Sequence, residues 1–142
     1  MAIGKPSDKT AIQPAQQLTN AQGETGEPIL VSSNNDSIWA FEPSVTALAN
    51  GGFAIAWEHE NDSTEAEEIL LQRFDASGNK LGAAIQVNTS TTGDQGDPDM
   101  TTLSDGTFVV TWSRETYSND DELSSSNIFM QRFSASGAKL VS

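Results

Sequence analysis

The chain has 142 residues, and 20 Asp and Glu stand against 7 Lys and Arg, so its formal net charge at pH 7 is -13. A surface this acidic repels phosphate backbones, so no nucleic-acid binding is expected, and no apolar run approaches the roughly 20 residues needed for membrane insertion. The absence of cysteine and the single histidine, His59, exclude thiolate metal sites, cysteine nucleophiles and a multi-histidine zinc site within one chain.

The first 27 residues are polar and lack the hydrophobic segment of a secretory signal. Prolines, glycines and amide side chains are frequent there, including Pro6, Pro14 and Gly23. A segment of this composition can bury little apolar surface. It predicts a polar leader or linker over residues 1–27, followed by a β-repeat domain over residues 28–142.

An internal repeat is the most informative feature of the sequence. Residues 43–57 align with 98–112 at one fixed offset and share Pro, Thr, Leu, Gly, Phe and Trp. After loops of unequal length, residues 69–81 align with 128–140, and both segments contain Gln-Arg-Phe, Ala-Ser-Gly and Lys-Leu. We interpret the pattern as a duplication. The predicted boundaries are about 43–97 for repeat 1 and about 98–142 for repeat 2.

The apolar segments of each copy predict β-strands, because they are short, rich in β-branched and aromatic residues, and bounded by turn residues. Asn50-Gly51 and Asp105-Gly106 supply the positive-φ positions of tight hairpin turns. The predicted hairpins pair residues 44–48 with 53–58 and residues 100–103 with 108–114.

A third strand is predicted over residues 69–74, and a fourth follows over residues 81–87. In repeat 2 the sequence stops where the equivalent fourth strand would begin. Residues 28–32 resemble residues 84–88, so we expect them to supply the outer strand of repeat 2, in the same chain or in a neighbouring one.

The predicted fold is therefore all-β, with two four-stranded antiparallel repeat units. Two packings agree with this pattern. In the first, the units are propeller-blade-like, and rings of four to eight such sheets cover both faces of every blade. In the second, the two sheets pack face to face as a β-sandwich, which needs no partner.

The spaced motifs resemble a known tandem repeat. Residues 47–57 contain Ala-Leu-x-Asn-Gly-Gly-Phe-x-x-x-Trp, residues 72–81 Gln-Arg-Phe-x-Ala-Ser-Gly-x-Lys-Leu, and residues 85–95 Ile-x-Val-Asn-Thr-x-Thr-x-Gly-Asp-Gln. This pattern is similar to repeats of very large secreted and surface bacterial proteins, which often also carry hemolysin-type, calcium-binding RTX segments. The resemblance implies propeller-like blades, an extracellular or cell-surface location, an adhesin-type setting and no known catalytic activity. The loops 61–68 and 117–127 depart from it, because they carry Glu and Ser where the family has Gly and Asp.

Five aspartates are the predicted metal ligands. Asp94, Asp97 and Asp99 alternate in the segment between the copies, and Asp120 and Asp121 lie in the loop that joins strands two and three of repeat 2. Alternate carboxylates on a Gly-containing loop can supply the oxygen ligands that calcium requires, so calcium is the predicted cofactor and no organic cofactor is expected. The competing interpretation is a solvated acidic surface, since no stretch matches an EF-hand or a glycine-rich calcium nonapeptide.

Catalysis is not predicted for this chain. Carboxylate pairs such as Glu58 with Glu60, or Asp120 with Asp121, resemble the pairs of glycosidases, but such pairs occur by chance in a sequence this acidic. His59 has no serine and aspartate in a triad pattern, and no nucleophile elbow, P-loop or dinucleotide motif occurs.

Aromatic residues that recur in both copies are predicted to form the structural core. They are Phe53, Trp57, Phe74, Phe108, Trp112 and Phe133. Trp39 and Phe41 differ, because the other copy is polar at the equivalent place, so we expect them to contact a ligand or an interface, with glycan stacking as the functional alternative. The repeated Arg73 and Arg132 are expected to pair with acidic residues of the neighbouring sheet.

These features together predict a non-enzymatic structural or binding repeat module of a large exported bacterial surface or RTX-type protein, stabilised by calcium. The alternative is a carbohydrate-binding, lectin-like or carbohydrate-processing propeller module. The expected partners are further copies of the chain, where a dimer or trimer would give four or six blades, or adjacent repeats of a longer chain, and glycans. The predicted location is extracellular or on the bacterial cell surface.

Overall fold

A computed structural model describes residues 26–32, 38–61 and 66–141. Residues 1–25 of the predicted leader lie outside the described residues. Within the described ranges the chain forms two four-stranded antiparallel sheets, which confirms the predicted all-β fold class. No helix long and apolar enough to cross a membrane occurs in these ranges. The strands are β1 (Ile38–Ala47), β2 (Phe53–Asn61), β3 (Ala66–Phe74), β4 (Ile85–Gln86), β5 (Asp94–Thr102), β6 (Phe108–Tyr117), β7 (Leu123–Phe133) and β8 (Lys139–Leu140).

Both sheets are meanders in which consecutive strands are hydrogen-bonded neighbours, in the orders β1-β2-β3-β4 and β5-β6-β7-β8. The first hairpin of each sheet turns at a glycine with positive φ, 87° at Gly51 and 84° at Gly106. The turns close in the same way, because the backbone N–H of Leu48 and of Leu103 each donates a 2.8 Å hydrogen bond across the turn. The two predicted hairpins are therefore present, with equivalent turns.

The first strand of each sheet begins earlier than predicted. β1 and β5 start at Ile38 and Asp94, because each strand continues through a β-bulge at the position where the prolines predict its end. The bulged residues are Glu42 and Asp97, with φ values of 46° and 53°, and each precedes a proline. A bulge can hold a proline because the ladder needs no N–H there. The segment with Asp94, Asp97 and Asp99 is therefore a strand and not a loop between the copies.

The fourth strands are shorter than the prediction of residues 81–87. β4 contributes only Ile85 and Gln86 to the ladder with β3. Beyond them a side chain takes the place of a backbone acceptor, because Asn88 Oδ1 accepts a 2.9 Å hydrogen bond from the backbone N–H of Ile69. In the second sheet a fourth strand does begin, because β8 pairs with residues 132–133 of β7.

Residues 26–32, which we name the N-terminal cap, lie against the first sheet. Lys80 Nζ donates a 2.9 Å hydrogen bond to the carbonyl oxygen of Val31, and Ile29 reaches the turn at Gly78. The prediction that residues 28–32 supply the outer strand of the second sheet is therefore wrong within one chain.

The two sheets pack through non-equivalent faces. On β2, Ala54 and Ala56 join the hydrophobic core between the sheets, whereas on β6 the alternate positions Val110 and Trp112 do so. Successive side chains of a strand point to opposite faces. At the interface between the sheets, the first sheet therefore presents one face of the repeat unit, and the second sheet presents the opposite face of that unit. The core consists of Leu48, Ala54, Ala56, Ile69, Leu71, Val87, Met100, Phe108, Val110, Trp112 and Phe133.

The recurrent aromatic residues pack in pairs. Phe53 stacks on Phe74 with ring centroids 4.9 Å apart, and Phe108 stacks on Phe133 at 5.1 Å. Phe53 itself is only half-buried. The five other predicted core aromatics are buried: Trp57, Phe74, Phe108, Trp112 and Phe133.

Candidate functional site: an acidic cleft between the sheets

A polar cleft of about 240 Å³ opens at the junction of the two sheets. Its carboxylates come from strands of both repeats, because β5 packs across β1, β2 and β3. We name this group the acidic cleft. Its carboxylates are Glu42, Glu58 and Glu67 of the first sheet and Asp94, Asp97 and Glu115 of the second.

The bulges and a glycine position these side chains. Glu42 and Asp97 occupy the equivalent bulges of β1 and β5, so the repeat itself directs one carboxylate from each sheet into the cleft. Gly96 allows the sheets to approach, because a Cβ built there would lie 2.8 Å from Oε2 of Glu58. A side chain at position 96 would therefore displace Glu58.

Hydroxyl groups hold two of the carboxylates. Ser113 Oγ donates hydrogen bonds to the carbonyl oxygen of Gly96 at 3.2 Å and to Asp97 Oδ2 at 3.3 Å. Tyr117 donates a 2.7 Å hydrogen bond to Glu115 Oε2, and this bond raises the pKa of Tyr117 to about 12. The described residues that line the cleft are thus acidic or hydroxyl-bearing apart from Gly96, and none of them is basic.

Burial and mutual repulsion raise several carboxyl pKa values. Burial is the first cause for Glu58 and Asp94, and neighbouring acidic residues add to it. The pKa of Glu67 rises to about 7, first by burial and then by repulsion from Asp94. For Glu42 the first cause is a side-chain hydrogen bond with Asp97. The cleft therefore favours protons or cations over free carboxylates.

We expect the cleft to make stability depend on pH. Because the pKa of Glu67 is raised in the folded state from 4.5 to about 7, its contribution to stability is fully present below pH 4.5 and is lost as pH rises through 7. Glu67→Gln removes this titration and should raise the free energy of unfolding at pH 8 by on the order of 1 kcal/mol, after allowance for solvent screening. Urea unfolding at pH 5 and pH 8 measures it.

The matched control for Glu67→Gln is Glu122→Gln, which removes a negative charge in the exposed β6–β7 turn. It should leave the pH dependence of stability unchanged. An equal effect of the two substitutions would attribute the pH dependence to net charge and not to the cleft.

The predicted metal ligands lie in three separate places in the structure. Asp94 and Asp97 lie in the acidic cleft, but Asp99 Oδ1 accepts hydrogen bonds from Ser44 Oγ at 3.1 Å and from the backbone N–H of Met100 at 2.8 Å. Asp120 and Asp121 lie exposed in the β6–β7 turn, away from the other three. Within residues 26–32, 38–61 and 66–141, no group of three or more His, Asp or Glu side chains is arranged to hold a metal ion.

Three carboxylates of the cleft were not selected from the sequence: Glu42, Glu67 and Glu115. One signal was available for the first, because Glu42 precedes Pro43 as Asp97 precedes Pro98. No such signal exists for Glu67 or Glu115, which approach the cleft only through the packing of β3 against β5.

Trp39 and Phe41 lie in β1 and form an exposed aromatic pair. Their rings are stacked, with centroids 6.4 Å apart and planes within 5°. The exposed fractions of the side chains are 53% and 39%. An exposed apolar surface of this kind suits contact with a ligand or partner.

A second, apolar cavity of about 290 Å³ lies between the N-terminal cap and the first sheet. Trp57 lines it and is 4% exposed, yet its Nε1 has no hydrogen-bond partner among the residues that the structure describes. Trp112, the equivalent residue of repeat 2, donates from Nε1 to Gln95 Oε1 at 2.9 Å. The position equivalent to Gln95 is Ala40, which has no acceptor in its side chain.

The repeated arginines do not pair as expected. Arg132 forms its ion pair with Asp105 of its own sheet, at the β5–β6 turn. In repeat 1 that turn has Asn50 instead of an acid, and Arg73 extends to the other sheet, where Nη1 donates a 3.5 Å hydrogen bond to the carbonyl oxygen of Ala135. The expectation of carboxylate partners on the neighbouring sheet is therefore wrong for both.

Comparisons with known proteins agree with the fold. No family model and no curated protein matches the chain. A crystal structure of a protein of unknown function from Dyadobacter fermentans DSM 18053 is similar, with a TM-score of 0.60 and 14% identity, over 75% of this chain and 36% of that chain. The chain therefore spans about a third of that protein's length. At this identity the likeness concerns the fold alone.

Proposed function

We propose that this chain is a non-enzymatic β-repeat module of a large exported bacterial surface protein, in which it serves as a spacer or presents ligands. One observation carries the proposal. The face of repeat 1 that contains Ala56 packs against the opposite face of repeat 2, which contains Trp112. Units that stack in this way can be added in series, which is how repeat proteins are built.

The same packing favours propeller-like blades over a sandwich as the arrangement to propose. Equivalent faces would meet in a sandwich related by two-fold symmetry, whereas non-equivalent faces meet in a ring of blades. The first strands of the sheets also lie side by side, as they do around a propeller axis. Thr46 Oγ1 of β1 and Thr102 Oγ1 of β5 are 3.1 Å apart.

Calcium is the cation that we propose for the acidic cleft. Carboxylate oxygens are the ligands that calcium prefers, and the cleft combines six carboxylates from both repeats. Because no three of them converge in the structure, the side chains must rearrange around the ion. Calcium would then stabilise the junction between the repeats by relieving repulsion across it.

Thermal melts with calcium and then with chelator test this role. A ligand that binds only the native state adds about 2.7 kcal/mol at a hundredfold excess over its Kd, so the Tm should differ by several degrees. Asp94→Asn with Asp97→Asn should abolish the difference. Asp120→Asn with Asp121→Asn, the matched control in the exposed turn, should retain it. Identical melts of the unaltered protein would refute a calcium site.

A carbohydrate-binding module is the second candidate, and the stacked pair Trp39 and Phe41 favours it. Flat aromatic surfaces that are accessible to solvent suit the apolar faces of sugar rings. A glycan array separates the two candidates. An array without hits supports the spacer function, whereas a hit that Trp39→Ala abolishes supports the lectin function, because this exposed side chain is not needed for the core.

A further inference from the structure

Equivalent residues of the two repeats differ sharply in exposure on one face. Ile69 and Leu71 on β3 are 0% exposed, because the second sheet covers them. Their repeat equivalents on β7, Ile128 and Met130, are 75% and 58% exposed. We name the surface around Ile128 and Met130 the open face. It is the same repeat surface that the first sheet buries.

The opposite end of the stack shows the complementary difference. Met100 on β5 is 9% exposed, because it packs into the core between the sheets, whereas its equivalent on β1, Val45, is 64% exposed. Ile55 pairs with Val45 and lies on the same side of the first sheet. We name this surface the outer face. The equivalent surface of the second sheet is the one that packs against the first sheet.

The N-terminal cap covers the outer face incompletely. Its apolar side chains Ile29 and Leu30 remain 57% and 55% exposed, and the cavity of about 290 Å³ separates them from Ile55 and Trp57. The buried Trp57 Nε1 also gains no acceptor from the cap. A cover with these defects contributes less than a packed sheet would, since protein interiors are normally close-packed.

We propose that a second copy of this chain docks head to tail, with its outer face on the open face of the first copy, and that the N-terminal cap competes for this interface. The internal junction is the template for it, because Met100 and Val110 of one repeat already share a hydrophobic core with Ile69 and Leu71 of the other, and β5 packs against β3. The inference rests on the proposed function as a repeat module and names its partner. Such a contact is heterologous, because two different surfaces meet. Repeating it from copy to copy gives a ring if the rotation between copies closes, and an open filament if it does not.

The charge of the chain sets the conditions for association. Each copy carries a formal net charge of -13, and repulsion between copies opposes contact at low ionic strength. At 0.15 M salt the Debye length is about 8 Å, so most of this repulsion is screened. We therefore expect association of the full chain to increase with salt, as burial of the apolar faces comes to dominate.

Sedimentation of the full chain with complementary variants tests the proposal. Val45→Glu blocks the outer face and Met130→Glu blocks the open face, and both residues are exposed enough for the variants to fold. Each variant alone should be monomeric at concentrations where the unaltered chain associates. An equimolar mixture should form one-to-one dimers and nothing larger, because one intact outer face then meets one intact open face.

The cap provides an independent readout. Ile29→Asp with Leu30→Asp should release it, lower the concentration needed for association by about tenfold, and shift the fluorescence of Trp57. Ser104→Glu, in the exposed β5–β6 turn and outside both named faces, is the control and should associate like the unaltered chain. Two results would overturn the proposal: monomers of both the unaltered and the cap-released chain at the highest soluble concentration, or no dimer in the mixture. Neither result bears on the calcium melts or on the glycan array, which test the cleft and the aromatic pair of the single chain.

Discussion

Trp112→Ala should lower the free energy of unfolding by about 3–5 kcal/mol, the usual cost of removing a buried large aromatic side chain. Trp112 is 7% exposed, belongs to the core between the sheets and stacks on Phe129 at 6.0 Å. The substitution therefore removes packing from the junction on which both sheets depend. Urea unfolding followed by circular dichroism measures the effect.

Repeat symmetry by itself predicts the same cost for Trp57→Ala, but the structure does not. Trp57 is also buried, yet it lies under the N-terminal cap beside a cavity, and its Nε1 is unpaired within the described part of the chain. We expect a cost lower by about 1 kcal/mol, since Trp57→Ala breaks no hydrogen bond that corresponds to the one between Trp112 and Gln95. Trp39→Ala, on the exposed pair, is the control and should be nearly neutral. A cost for Trp57 equal to or above that for Trp112 would contradict this account of the cap.

Gln95→Ala should be the most destabilising polar substitution, at about 3 kcal/mol. Gln95 is 1% exposed, accepts from Trp112 Nε1, and donates 3.1 Å hydrogen bonds to the carbonyl oxygens of Thr92 and Gly93. Removal of its side chain leaves the buried indole N–H of Trp112 without this partner, at about 1–3 kcal/mol unless the site relaxes, and also removes the two part-buried hydrogen bonds to the carbonyl groups. Chemical denaturation gives the value directly.

Ala40→Gln is the reciprocal experiment, because it places in repeat 1 the side chain that repeat 2 has. The new amide oxygen should accept from Trp57 Nε1 and raise the free energy of unfolding by about 1 kcal/mol. Ala40→Leu, which adds similar bulk without an acceptor, controls for packing in the cavity. A gain that is the same for both substitutions would show that volume and not the hydrogen bond is missing.

The sequence alone determined the duplication, the strands and their hairpins. These follow from local chemistry: Asn50-Gly51 and Asp105-Gly106 accept the positive φ of tight turns, and short β-branched and aromatic segments suit extended pairing. The bulges were missed because Pro43 and Pro98 resemble strand ends in sequence. Whether a ladder resumes beyond a proline depends on the partner strand, which a local pattern does not specify.

The site depended on contacts between residues that are remote in sequence. Of the five predicted ligands, only Asp94 and Asp97 reach the cleft, because Asp99 is held by Ser44 and the turn with Asp120 and Asp121 lies elsewhere. Glu42, Glu67 and Glu115 join them through the crossing of β5 over the first sheet. The spacing of residues along the chain identifies a set of metal ligands only when one loop supplies all of them. In this protein the carboxylates of the cleft come from several strands.

Burial is the property that only the tertiary structure decided. Ile69 and Ile128 are isoleucines at equivalent positions of the two repeats, yet Ile69 is 0% exposed and Ile128 is 75% exposed. Trp57 and Trp112 are likewise the same residue, but within residues 26–32, 38–61 and 66–141 a hydrogen-bond partner reaches the indole N–H of Trp112 and not that of Trp57. A duplicated sequence produces the same strands twice, because strand formation is local. It cannot specify which copy is covered, because burial depends on the sheet that packs against each face.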